Sequence, residues 1–404
     1  MPQPDRLADA LTACQTLLAL APAPRPDDLY LERTAEAFWR VDDGRVAEQG
    51  VVRRDGVAVR RPGRLDSRDA TDRFTLAELL SVASRLVPPL PLPEPPPPPA
   101  VAEWLSRLGP GEWTLRWRWR WAALVRRGSA VILARPPLLE VETCDGQRAL
   151  AVLPLATDWQ PPRPTVEGRG APPRGRPVTL LAPPVAAALV HEVIGHSLEG
   201  DLVVAGLSPL ASASPRPRLA LPLDVTDDPT RADLPGAFAV DDEGTPGHPR
   251  SLLRAGKPVG VLADRAVASR LGASSGNARR GGVHAFPRPR ISNLITRGPA
   301  SPLAELRRQA RLEVTSVRAA AFHLATATVR LEVRSAHTLH RGEAARPLPS
   351  FTLHTSLDAV GKGLLASSGE AQATAEPGWC RKDGDAVPVG SDTPWLLLAG
   401  LEVG

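Results

Sequence analysis

The sequence has few cysteines, few lysines and no long apolar run. Its three cysteines, Cys14, Cys144 and Cys380, are widely spaced among 404 residues and odd in number. That pattern does not suggest a disulfide framework and fits a reducing cytoplasm. The longest apolar stretch, residues 178–190, contains two prolines and is shorter than the roughly 20 residues that a membrane-spanning helix needs. We therefore expect no membrane segment.

Lysine is scarce, and arginine carries nearly all of the positive charge. Such a bias, with abundant alanine and proline, is typical of a GC-rich genome, so the net charge of +5 is weak evidence for nucleic-acid binding. In residues 113–121 tryptophan and arginine alternate, and stacking with phosphate pairing would suit single-stranded nucleic acid. Alternation also places the two residue types on opposite faces of a half-buried antiparallel strand. We favour the strand and expect no nucleic-acid partner.

The segment HEVIGH, residues 191–196, is the most informative stretch of the chain. It follows a Pro-Pro pair and an alanine-rich run, which together start a helix well. Two histidines and a carboxylate in an apolar frame indicate a metal site, and two unrelated buried histidines are the alternative. Residues five apart lie about 140° from one another around a regular helix. His191 and His196 therefore require a bulge or a loosened turn, and Gly195 is expected to tolerate that backbone.

A zinc ion with one open position needs a third protein ligand besides two histidines. Cys380 is the candidate, because Arg381 and Lys382 follow it and favour the thiolate over the thiol. A lone cysteine is also often a small buried hydrophobic residue. The residues by themselves leave both interpretations open.

Four separate blocks give the chain a family resemblance. They are HEVIGH followed by LEGD (191–201), DDEGTP (241–246), GNARR with PRPRISN (276–293), and GWCRKDG with VPVG (378–390). In this order they resemble the TldD/PmbA family of metallopeptidases, and specifically its metal-bearing TldD branch. The resemblance implies that His191, His196 and Cys380 bind Zn²⁺ and that Glu192 is the catalytic base.

We therefore predict a zinc-dependent peptidase that hydrolyses unfolded or short peptides, with Glu192 taking a proton from a zinc-bound water. The resemblance also implies a dimer with a TldD/PmbA-family subunit, either identical or different. One alternative is a catalytically weak or inactive family subunit in such an assembly, and a less favoured one is an Arg/Trp-based nucleic-acid binder. Residues 202–238 and 317–333 depart from the family pattern where a substrate path is expected, so the metal chemistry carries over better than the substrate preference.

Proline marks the main division of the chain. Residues 88–99 contain nine prolines in twelve positions, which is typical of a stiff linker, with a PxxP docking segment as the alternative. We predict an N-terminal α/β unit over residues 1–87, a strand-rich middle region over 100–176 and a catalytic, metal-binding domain over 177–404. The expected fold class is α+β, with a β-rich C-terminal domain around the HExxxH helix.

Three local predictions concern the N-terminal part. Residues 7–20 are predicted to form an amphipathic helix and not a signal peptide, because Asp5 and Asp9 stand where positive charge belongs. Residues 75–86 are predicted to be helical. The Asp-Gly pairs at 43–44 and 55–56 separate strand-like runs, a pattern typical of short hairpin turns.

Overall fold

The computed structural model describes residues 4–69, 73–82, 92–157, 159–165, 168–211, 219–374 and 376–404. The fold is mixed α+β and rich in strands, so the predicted fold class is confirmed. Within these ranges, no helix is both long and apolar enough to cross a membrane.

Seven described strands of the N-terminal part form one sheet: β1 (Asp28–Asp42), β2 (Arg45–Arg61), β3 (Arg64–Arg68), β4 (Glu112–Arg126), β5 (Ser129–Ile132), β6 (Leu138–Thr143) and β7 (Arg148–Val152). Their order is β3-β2-β1-β4-β6-β7, and β5 pairs with β4. Every neighbouring pair is antiparallel.

Strands from both sides of the proline-rich segment join in this sheet, because β1 pairs with β4 along its length. The regions that the sequence analysis separated as 1–87 and 100–176 therefore share a sheet. Residues 92–99 of the predicted linker have no helix or strand, and residues 88–91 lie outside the described residues. The domain boundaries themselves stay a prediction.

Three helices accompany the first sheet: α1 (Pro4–Leu20), α2 (Arg73–Leu80) and α3 (Ala102–Leu105). The amphipathic helix at the N-terminus is confirmed, since α1 buries Cys14, Leu17 and Leu18 in a core with residues of β1, β2 and β4. The predicted helix at 75–86 coincides with α2 up to Leu80, and its residues 83–86 lie outside the described residues.

The two Asp-Gly pairs have different outcomes. A turn at residues 43–44 joins β1 to β2, as predicted, but residues 55–56 lie inside β2, so the second predicted turn is wrong. Asp55 instead accepts two hydrogen bonds from Arg33, and a Cβ at Gly56 would lie 2.7 Å from the Val283 side chain. The glycine permits a close approach of the C-terminal part to the sheet.

The alternating Trp/Arg segment is the half-buried strand β4, as predicted. Trp113, Leu115 and Trp117 are buried in a hydrophobic core. Arg116 and Arg118 are half-buried on the opposite face. The period-2 pattern therefore separated the apolar face from the charged one.

The C-terminal part contains seventeen described strands: β8 (Thr179–Leu181), β9 (Asp224–Asp227), β10 (Arg250–Arg254), β11 (Lys257–Pro258), β12 (Ala278–Arg279), β13 (Arg288–Pro289), β14 (Asn293–Arg297), β15 (Ala300–Ser301), β16 (Leu312–His323), β17 (Thr328–His340), β18 (Glu343–Pro347), β19 (Phe351–Ser356), β20 (Leu364–Thr374), β21 (Trp379–Lys382), β22 (Asp385–Pro388), β23 (Gly390–Leu398) and β24 (Glu402–Val403). Thirteen of them form a second sheet with the central order β11-β10-β9-β14-β23-β8-β16-β17-β19-β24. The pairs β12–β13 and β21–β22 stand apart as small hairpins.

The helices of this part are α4 (Pro183–Val190), α5 (Gly200–Val204), α6 (Arg265–Leu271), α7 (Leu303–Gln309) and α8 (Leu357–Gly363). Helix α4 begins directly after the central strand β8 and contacts β16 and β23. Its apolar residues and those that follow it, Leu189, Val193 and Ile194, belong to the main core together with Cys380. The core thus fixes the chain segment that carries the two histidines.

Candidate metal centre

The segment with the two histidines leaves the regular helix where their spacing requires it. After α4 the chain forms a π-helical turn over His191–Gly195 and a 3₁₀ turn over His196–Leu198. The backbone N–H of His196 donates to the carbonyl oxygen of His191, five residues earlier. The two imidazole rings are perpendicular, and their centroids are 4.8 Å apart. The wider turn therefore brings both rings to one side of the helix, as the spacing predicts.

Gly195 lies in the π-helical turn, where it was expected. Its φ of −57° and ψ of −60° are helical, so other residues could adopt this backbone and the need for glycine has another cause. A Cβ at this position would lie 2.4 Å from Cδ1 of Ile291 and 3.2 Å from Cδ1 of Leu294. The absence of a side chain lets the π-helical turn pack directly on these core residues.

Gly195→Ala should therefore destabilise the protein by about 1–3 kcal/mol, because the added methyl overpacks a closed core. Urea unfolding of the two proteins measures the difference. Gly109→Ala is the matched control, since no atom lies within 4 Å of a Cβ built there, and we expect a change within about 0.5 kcal/mol. Equal effects of both substitutions would contradict the packing argument.

His191, His196 and Cys380 converge although the cysteine lies 184 residues after His196 along the chain. Their ligand atoms all lie within 4.8 Å of one another, and the Cys380 Sγ is 3.8 Å from the His196 Nε2. Tetrahedral zinc, with bonds of about 2.0–2.1 Å to nitrogen and 2.3 Å to sulfur, holds such atoms about 3.6 Å apart. The spacing and chemistry of the three donors therefore fit a zinc ion.

The charge state of the donors is set by their neighbours. Burial, with His196 and Arg290 adding to it, holds the pKa of His191 well below its usual value, so this imidazole is neutral and keeps a lone pair. Burial alone would lower the pKa of His196, but Glu199 and Cys380 outweigh it and hold that pKa well above the usual value. The buried Arg290 donates to the Cys380 Sγ at 3.3 Å and so places a positive charge beside the sulfur.

A layer of charged residues surrounds the donors. Glu199 lies 3.2 Å from the His196 Nδ1, which leaves the Nε2 facing Cys380. The Nζ of Lys382 binds both Glu199 and Asp201, at 2.9 and 2.7 Å. Such carboxylate–histidine contacts orient metal ligands. Glu199, Asp201 and Arg290 belong to the motif blocks but had no predicted role. Lys382 was expected to favour the Cys380 thiolate, and in the structure it binds the two carboxylates.

Glu192 is next to His191 in the chain but is not one of the three donors. One carboxylate oxygen accepts a hydrogen bond from the backbone N–H of Phe322 at 3.1 Å, and burial raises the pKa of the carboxyl. Glu192 and His196 line a cavity of about 720 Å³, and residues 316–322 form another part of its wall. The segment 317–333, which departs from the family pattern, thus contributes to this cavity, whereas residues 212–218 of the other divergent segment lie outside the described residues.

The DDEGTP and GNARR segments, residues 241–246 and 276–280, contact the first sheet. Asp241 accepts hydrogen bonds from the backbone of Glu243, Thr245 and Ala278 and so closes its own loop. Glu243 binds Arg60 of the first sheet at 2.7 Å. These blocks therefore join the C-terminal part to the first sheet.

A second acidic group, Glu376, lines the same cavity. Burial raises the pKa of Glu376 from 4.5 to about 7, and Arg334 opposes this rise. When the pKa of a carboxyl is higher in the folded protein than in the unfolded chain, the carboxyl ionises first in the unfolded chain. The folded state therefore loses stability as the pH rises from about 4.5 through 7. Glu376→Gln should therefore stabilise the protein by about 2 kcal/mol more at pH 8 than at pH 5.

Urea unfolding of this variant and the parent at both pH values measures that difference. An equal gain at pH 5 and pH 8 would show that Glu376 is not held in a protonated state by its surroundings.

The fold and the cluster define a mixed α+β protein with a His/His/Cys group at its core, a donor set suited to a metal. Comparison with known proteins identifies the family. Residues 174–404 match the model of the PmbA/TldA metallopeptidase C-terminal domain. The chain therefore belongs to the TldD/PmbA family, and the resemblance seen in the sequence is confirmed.

Similar proteins include a metalloprotease TldD homolog of Buchnera aphidicola, 27% identical over 219 residues that cover 54% of this chain and 45% of that protein. A metalloprotease of Archaeoglobus fulgidus is 28% identical over 229 residues, 56% of this chain and 53% of that protein. The chain spans about half the length of these curated relatives.

Solved structures share the fold. TldE from Thermococcus kodakarensis superposes with a TM-score of 0.67 at 15% identity, over 97% of this chain and 100% of that chain. A Thermotoga maritima protein named as a candidate modulator of DNA gyrase gives the same TM-score and identity, over 100% of both chains. At this identity the likeness concerns the fold alone.

Proposed function

We propose that the chain is a zinc-dependent peptidase that hydrolyses unfolded or short peptides. The observation that carries the proposal is the position of Glu192 on the wall of a large cavity, next to a group of His191, His196 and Cys380 that fits zinc. Curated relatives named metalloproteases support a hydrolase of this kind.

The three donors would hold the ion. When bound, zinc supplies Lewis-acid polarisation of a carbonyl and acidification of water. Arg290 supports the thiolate of Cys380, and Glu199 orients the ring of His196. Because a thiolate donates more charge than a carboxylate, we expect a modest turnover.

Glu192 would act as the base. Its raised pKa makes it a better proton acceptor near neutral pH than an exposed carboxylate. As the water oxygen adds to the peptide carbonyl carbon, Glu192 takes the water proton. It then gives that proton to the amine nitrogen when the C–N bond breaks. The hydrogen bond from Phe322 holds one oxygen, and the other has no hydrogen-bond partner among the described residues.

We also propose a dimer with a second TldD/PmbA-family subunit, identical or different, and a cytoplasmic location. The three cysteines are free in the structure, which is compatible with a reducing compartment. An inactive subunit of such an assembly is the second candidate, and the complete donor set favours the active one.

Metal analysis tests the proposal most directly. The purified full-length protein should contain about one zinc per chain, and removal of zinc by a chelator should abolish hydrolysis of a fluorogenic peptide mixture, with recovery on adding zinc back. Protein that carries no zinc and binds none in equilibrium dialysis would leave the inactive subunit as the better description.

A further inference from the structure

A second cavity, of about 550 Å³, lies next to the one that Glu192 and His196 line. We call it the arginine chamber. Its wall includes Arg118 of the first sheet and Arg279 of the C-terminal part. The two cavities share four lining residues, Glu140, Arg148, Trp379 and Arg381. Since Glu192 and His196 line the other cavity, the shared residues place the chamber beside the cavity of the candidate metal centre.

The chamber has a strong excess of positive charge. Nine arginines but only three acidic residues line it. Five of the nine form ion pairs. Within the described part of the chain, the remaining four have no carboxylate partner: Arg54, Arg279, Arg280 and Arg381.

Two of these four are buried in the chamber wall. Among the described residues, none accepts a hydrogen bond from the three guanidinium nitrogens of Arg280, whose Cζ lies 4.2 Å from the centroid of the Tyr30 ring. Arg279 donates, as far as the described residues go, only to the carbonyl oxygens of Ile291 and Pro388. Burial, followed by Arg135, lowers the pKa of Arg279 to about 9. Buried cations without a direct ion pair are costly, and in low-dielectric walls they contribute a positive potential that nearby Asp242 only partly offsets.

The other two are exposed and offer free donors. Arg54 lies on β2 and Arg381 on β21, and both side chains reach the chamber wall. A planar guanidinium pairs with a carboxylate through two parallel hydrogen bonds. The chamber thus has a positive electrostatic potential from its buried arginines, and exposed guanidinium groups that can each donate two parallel hydrogen bonds.

From this arrangement we infer that the arginine chamber binds a carboxylate group of the peptide substrate, a short distance along the peptide from the bond that is cleaved. The inference rests on the proposed peptidase function. The cavity is in the size range of small-ligand pockets, which suits one side chain or a chain terminus. Either the free C-terminal carboxylate or an Asp or Glu side chain would supply the group.

Equilibrium binding tests the inference without cleavage. Zinc-loaded Glu192→Gln protein is titrated into N-terminally fluorescein-labelled ten-residue peptides and followed by fluorescence anisotropy. One pair of peptides, free of acidic side chains, compares a free C-terminus with an amidated one. A second pair, both amidated, compares a central Glu with Gln. In at least one pair, the carboxylate peptide should bind about tenfold or more tightly, and the pair that shows the preference identifies the source.

Exposed arginines provide variants that keep the fold. Arg54→Gln and Arg381→Gln, made in the Glu192→Gln background, should each reduce that preference several-fold. Arg270→Gln is the matched control, because Arg270 is exposed on α6 and does not line the chamber. It should leave the preference unchanged. The buried Arg280→Gln should give a larger loss, and circular dichroism checks that it remains folded.

Equal affinities within both peptide pairs would overturn the inference. It would also be overturned if Arg270→Gln reduced the carboxylate preference as much as Arg54→Gln and Arg381→Gln do. A labelled ten-nucleotide single strand that displaces the peptides and binds more tightly would also overturn it in favour of a phosphate polymer. Cleavage of the mixed peptides by the parent protein is measured separately. If the parent protein cleaves the peptides but shows no preference for a carboxylate, only the role of the arginine chamber is wrong. If it prefers a carboxylate but cleaves no peptide, only the proposed peptidase activity is wrong.

Discussion

Glu192→Gln should reduce peptide hydrolysis by about 10²- to 10⁴-fold and leave the zinc content unchanged. The amide keeps the size of the side chain and can still pair with the backbone of Phe322, but it cannot accept the water proton, and loss of a general base costs this much. Steady-state kinetics with a fluorogenic peptide, beside metal analysis of the same preparation, measures both quantities.

The control for this variant is Glu343→Gln, an identical substitution at an exposed position on β18, which should keep the parental rate. Parental activity in Glu192→Gln would remove Glu192 from its assigned role. Loss of zinc together with activity would instead make Glu192 a ligand, because substitution of a base that does not contact the ion should leave zinc binding intact.

Cys380→Ala should lower zinc affinity by at least about 100-fold, so that the purified variant carries little of the ion. If the proposed site is right, the substitution takes away one of the three protein bonds to the metal. It also leaves the buried Arg290, whose guanidinium donates to the Cys380 sulfur, facing a methyl group. We therefore expect reduced stability as well as metal loss.

Titration of the metal-free variant with zinc in the presence of a competing chelator measures the affinity. Cys144→Ala is the control, since Cys144 is exposed and free and should bind zinc like the parent. Full zinc retention in Cys380→Ala would exclude the thiolate from the site and leave the two histidines without their third protein ligand.

Several features could be predicted because their cause is local. The five-residue spacing of His191 and His196 is incompatible with a shared face on a regular helix, and the structure has a π-helical turn there. The alternation of tryptophan and arginine defines the two faces of β4 in the same way. Separate motif blocks in a fixed order were enough to indicate the family, which the match over residues 174–404 confirms.

Other features could not be predicted, because they depend on which distant segments pack together. Gly56 lies inside a strand and not in a turn, paired with Glu32 of β1, and Val283, far along the chain, occupies the space that its side chain would take. At position 195, Ile291 likewise occupies the space that a side chain would take. Both glycines have a steric role that local backbone preferences do not reveal.

The sequence by itself determined the periodic elements, the irregular turn between the histidines and the family, because helix and strand periods and short-range spacing are properties of neighbouring residues. The residues by themselves left the role of Cys380 open and the family resemblance implied it, but only the tertiary structure brings its sulfur to 3.8 Å from His196. The tertiary structure alone decided that Lys382 binds Glu199 and Asp201, and which arginines of the chamber lack a carboxylate among the described residues. Those contacts join segments as much as 184 residues apart. They form because burial of the whole core sets the positions of the strands and helices, and no local pattern encodes that free energy.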